Sequence, residues 1–222
     1  MAITEVTNME RITVNLNAAT KCISSFYTAF SGTDKLKQYE FEKGINILYG
    51  GIDTDSWAVS YIISMNGTGA CAKNTVYYDE PTVFIDGDIS SLEELSKISC
   101  YIDKSNTSLF AKQTVRRRIE NALKKTRMDY TPESVKELFG LDDQRFERPV
   151  IYCGNEALRA MCAISFCEGQ KVFCFPWLSK KLYKYSEYNL NYTVELLKNL
   201  GCFVILPLDE SIILHNHQKI NE

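Results

Sequence analysis

Ile45-Asn46-Ile47-Leu48-Tyr49-Gly50-Gly51-Ile52-Asp53-Thr54-Asp55-Ser56-Trp57-Ala58-Val59-Ser60-Tyr61-Ile62-Ile63 is the stretch on which the fold turns. The apolar run from Ile45 to Tyr49 reads as a buried strand, and it enters a glycine pair, Gly50-Gly51. A short polar loop follows, and a helical apolar pattern runs over residues 57–65. This strand–loop–helix order is the layout of a phosphate-binding loop, G-x-x-x-x-G-K-S/T. In such a loop backbone N–H groups wrap phosphates, a lysine neutralises them and a hydroxyl holds Mg²⁺. Here the loop carries Asp53 and Asp55, and no lysine lies between Lys43 and Lys73.

Outward from that stretch, the first third is β-rich. Ile12 to Leu16 alternates as a half-buried strand does, and Ser24 to Phe30 offers another. Thr82 to Ile85 reads as a strand ending at an Asp86-Gly87 turn. A short helix over residues 91–95 follows, with Ser90 or Ser91 as cap and Glu94 as capping-box partner, and then a strand at Ile98 to Ile102. The middle is helical: residues 114–128, a second helix opened by Thr131-Pro132 and closing near Phe139-Gly140, and a third over 155–166. The last third returns to strands at Lys171 to Phe175 and Cys202 to Leu206. A helix over 190–200 ending at Gly201 lies between them, Pro207 marks the end of the second strand, and Ile212 to Leu214 offers a last one. Strands alternating with helices imply a parallel sheet covered on both faces.

The chain of 222 residues has room for one or two closely joined domains, and 45% hydrophobic residues supply a real core. A net charge of −3 argues against sequence-independent nucleic-acid binding, which needs a basic surface. No stretch approaches the roughly 20 apolar residues of a membrane span. Met1 to Glu5 has no basic region leading into an apolar core, so a cytoplasmic protein is expected. The 8 cysteines include no Cys-x-x-Cys pair, and the histidines, His215 and His217, stand near the end. A zinc site is not expected, and the cysteines read as small buried hydrophobes. Cys153, with no histidine near it in sequence, reads as an inert thiol rather than a nucleophile. The tyrosines at 183, 185, 188 and 192 read either as an interface or as ordinary surface.

Ordered along the chain, these segments resemble the ATP-binding subunit of an ABC transporter. "YEFEKGINILYGG" (39–51) resembles that family's strand into the P-loop, and "PTVFIDGDISSLEELSKISCYIDKS" (81–105) the stretch that leads into its Q-loop. "SLFAKQTVRRRIENAL" (108–123) is similar to the entry of the family's helical subdomain. "LFGLDDQRFERPVIYCGNEALRAMCAISF" (138–166) resembles the segment that carries the signature motif, with Arg159 at the arginine that follows it. "KVFCFPWLS" (171–179) stands at the Walker B strand and "LLKNLGCFVILPLDES" (196–211) at the switch strand. The resemblance implies an α/β fold of the P-loop NTPase kind with a β-rich N-terminal part, a parallel core sheet and an inserted helical subdomain. The implied parts are residues 1–105 for the β-rich part with a degenerate P-loop, 106–168 for the helical subdomain and 169–222 for the rest of the core.

At the positions where the family does chemistry, this sequence departs from it. Gly50 takes the first P-loop glycine, with Gly51, Asp53 and Thr54 inside the loop; Asp55 replaces the second glycine, Ser56 the lysine and Trp57 the Ser/Thr. A carboxylate about 4 Å from a phosphate, at an effective dielectric near 20, costs about 4 kcal/mol. Asp53 and Asp55 are expected to occupy the helix N-terminal donors themselves, giving a self-capped loop. Pro176 and Trp177 stand in place of the Walker B aspartate and glutamate, and neither ligates a metal or accepts a proton. Asp103 replaces the Q-loop glutamine, Tyr152-Cys153-Gly154-Asn155-Glu156 the signature Leu-Ser-Gly-Gly-Gln, and Leu208 the switch histidine.

The resemblance therefore implies a degenerate ABC-type subunit with no catalytic residue, no metal ligand and no bound ATP or Mg²⁺. It would dock a membrane permease, around residues 103–110, and pair with a second nucleotide-binding subunit that is a competent ATPase. It would lie in the cytoplasm on the inner face of the membrane. The alternative is a soluble regulatory or scaffold pseudo-ATPase outside transport, and a working ATPase is disfavoured.

Overall fold

The computed structural model describes residues 9–16, 20–23, 28–30, 37–51, 55–65, 75–77, 81–102 and 112–212. In chain order these form β1 (Arg11–Leu16), β2 (Thr20–Ile23), β3 (Thr28–Phe30), β4 (Lys37–Glu42), β5 (Gly44–Tyr49), α1 (Asp55–Met65), β6 (Thr75–Tyr77), β7 (Thr82–Ile85) and β8 (Asp88–Ser90). Next come α2 (Leu92–Lys97), β9 (Ser99–Tyr101), α3 (Val115–Thr126), α4 (Pro132–Leu138) and α5 (Asp143–Phe146). Two 3-10 turns, Val150–Tyr152 and Gly154–Glu156, lead into α6 (Ala157–Cys167), followed by β10 (Val172–Cys174), α7 (Lys180–Asn199) and β11 (Phe203–Leu208).

The centre is a parallel sheet in the order β5-β11-β10-β9. Every residue of β11 is buried, as a strand covered on both faces requires. Its side chains part by alternation: Phe203 and Ile205 join one apolar cluster with α1, β1 and β4. Val204, Leu206 and Leu208 join another with α3, α6 and α7. The first face is closed by an antiparallel sheet, β4-β1-β7-β8, whose tight hairpin turns at Asp86-Gly87 with both φ values positive, 52° and 91°. Asp86 Oδ1 also accepts the Glu10 and Arg11 amides at 2.8 and 2.7 Å, tying that turn to β1. A third sheet, β3-β2-β6, completes the described strands.

Local signals place most of these elements. Ser91 and Glu94 form the capping box of α2, and Thr131 caps α4 with Pro132 in its first turn. The expected strand at 24–30 is realised as β3 at its end, while 24–27 lie outside the described residues. Ile212 is not in a strand, and 213–214 lie outside the described residues.

Two expectations are corrected. The helix expected at 190–200 begins at Lys180, because Ser179 supplies an N-cap whose side chain accepts from the Leu182 amide. Pro207 does not end β11, which continues to Leu208. At that point β10 has ended; the Pro207 carbonyl accepts from Leu178 N at 3.1 Å, and the edge needs no N–H from it.

Candidate functional site at the carboxyl end of the parallel sheet

In open sheets with parallel strands, ligands bind outside the carboxyl ends of the strands. The four segments read as P-loop, Q-loop, Walker B and switch strands are β5, β9, β10 and β11, the four strands of the one parallel sheet. Gly50, Trp177 and Leu208 are therefore brought to one edge, although they are far apart in sequence.

That edge is tightly connected. Gly50 N donates to the Leu208 carbonyl at 3.0 Å, so the sheet pairing continues into the first loop glycine. After β10 the chain crosses toward β11: Phe175 N donates to Ile205 O at 2.9 Å, and Asp209 N donates to Leu178 O at 3.0 Å. The crossing positions Trp177, whose Nε1–H donates to the Gly50 carbonyl at 2.8 Å. The indole is half-buried against the cluster that holds α1. Pro176, also half-buried, has no N–H to offer. Behind them Ser60 of α1 donates to the Phe175 carbonyl at 2.7 Å, joining α1 to the end of β10.

The other assigned positions divide. Leu208 is fully buried among side chains of the α6–α7 side and presents nothing to solvent. Asp209, next along, uses its carboxylate within its own turn, accepting from Ser211 N at 2.9 Å and from Ser211 Oγ. Those bonds hold its carboxyl below the ordinary 3.8. Ser56 is buried in α1. Asp53, Thr54 and Asp103 lie outside the described residues, as do the side chains of Asp55 and Trp57, which α1 includes as backbone. The self-capped loop expected of Asp53 and Asp55 thus falls outside them too.

The signature positions belong to the turns that lead into α6. Tyr152 is exposed and Cys153 is buried, its thiol directed at the Arg145 and Pro149 carbonyls. Burial pushes the Cys153 thiol up, with the Glu156 carboxylate adding to the effect. Glu156 does not face outward. It is 7% exposed, its carboxylate lies 2.9 Å from Arg145 and 3.4 Å from Arg159, and it accepts the Asp142 amide at 3.0 Å. Arg145 also donates to Asn155, and Arg159 to the Gly140 carbonyl at 2.6 Å. This network was not legible in the sequence beyond the bare presence of charges. Nor was the Trp177–Gly50 bond: both residues are singled out there, but nothing in the pattern joins them.

Taken together, the sheet order, the strand-to-helix loop at its carboxyl edge and the helical block before β10 define the fold of ABC transporter ATP-binding subunits. The chain is similar to cbiO1 from Clostridium perfringens, described as part of the ABC transporter complex cbiONQ. The TM-score is 0.55 at 12% identity, over 91% of this chain and 78% of that one. It is similar also to a protein from Pyrococcus furiosus described as an ABC transporter ATP-binding protein, with a TM-score of 0.56 at 10% identity, over 90% of this chain and 92% of that one. At such identities the likeness is one of fold. No protein-family model matches the chain, and no sequence among curated proteins does.

Proposed function

We propose that this chain is a catalytically inactive ABC-type ATP-binding subunit, one that docks a membrane permease and pairs with a competent nucleotide-binding subunit. The observation that carries the reading is the bond from Trp177 to the Gly50 carbonyl. It ties the Walker B position directly to the start of the phosphate loop, across the edge where a nucleotide of this fold would lie. The residues there do not fit Mg-ATP. The loop has no lysine, Pro176 and Trp177 offer no carboxylate, and Leu208 is turned into the core. The scaffold meanwhile persists among the described residues: one face of the parallel sheet, the helical block and α7 share one apolar cluster. A fold kept while its chemistry is removed suits a part whose task is contact with other subunits. The division into a β-rich part to residue 105, a helical subdomain at 106–168 and the remaining core from 169 belongs to the same proposal, as does a place on the inner face of the membrane. No helix among the described residues is long and apolar enough to cross a membrane.

Two measurements test this. Calorimetric titration with Mg-ATP is expected to give no binding heat, and the pure chain no phosphate release. Binding in the millimolar range or tighter, or turnover lost on changing Asp55, overturns the inactive assignment. Isolation of the chain from native membranes is expected to bring a permease and an ATPase with it. Recovery without any membrane subunit overturns the transport role in favour of a soluble regulatory one.

A further inference from the structure

We draw no further inference here: the strongest candidate, the exposed face of α7 that carries Tyr185 and Tyr188, has its Glu195 already paired with Lys198 of the same helix, and nothing among the described residues shows what covers it.

Discussion

Trp177 shows how one side chain closes an edge of the parallel sheet. Its indole N–H satisfies the Gly50 carbonyl, and Gly50 itself is buried. Replacing Trp177 with Phe keeps most of the ring and removes the donor, leaving a buried acceptor unpaired. The expected loss is about 1–2 kcal/mol of stability, read from the urea midpoint with an unchanged slope. Glu156 acts on a second scale of cost. It faces two arginines, one of them, Arg159, only 13% exposed at the side chain. Glu156→Ala leaves both cations without their shared partner, and a drop of about 3 kcal/mol is expected in the same titration. A smaller drop, within a few tenths of a kcal/mol, would mean that the network is only a surface decoration.

Among the elements, the corner between α4 and α5 is the most constrained. Gly140 has φ +59°, and a Cβ built there would lie 2.9 Å from Arg159 Nη1 and 3.2 Å from the Tyr192 hydroxyl. Gly140→Ala is expected to cost at least about 1 kcal/mol and to loosen α6 and α7 together, measured as faster amide exchange at Tyr192 and its neighbours. Elements of this kind were unevenly legible. Caps and turns are short-range codes, so Ser91 with Glu94, Thr131-Pro132 and Asp86-Gly87 announced themselves. The apolar runs Ile45–Tyr49 and Val172–Cys174 announced buried strands, and their order announced the parallel sheet. The N-terminal half of α7 did not: its lysines and tyrosines give no apolar period, because that half exposes most of its surface. Short α5 was missed for want of length, since a single turn has no periodicity to read. Within the candidate site, the sequence located the edge but not its closure, which depends on a tertiary bond between residues 127 positions apart.

For the whole molecule, acid is the condition to vary. The Lys136 ammonium beside Asp143 holds that carboxyl below 3.8, and the Arg116 guanidinium holds Glu133 below 4.5. Folded values lowered in this way mean that the stability is fully present above the unfolded values and is lost as pH falls through the folded ones. Glu168 works in the opposite sense. Burial, only partly offset by Arg118, raises its carboxyl above 4.5, so its contribution is present below that value and fades as pH rises through the raised one. The melting temperature is therefore expected to fall below about pH 4, less steeply in Glu133→Gln, while Glu168→Gln flattens the decline on the alkaline side of 4.5. The strand order has a kinetic consequence as well. β11 comes last among the described strands, yet it sits between β5 and β10. A ribosome that has emitted everything up to Leu200 has released a sheet with a gap in its middle and two open, apolar strand edges facing one another. Such a nascent chain is a template for the wrong partner until its final strand arrives, and chains stopped there are expected to pellet where the complete one stays in solution.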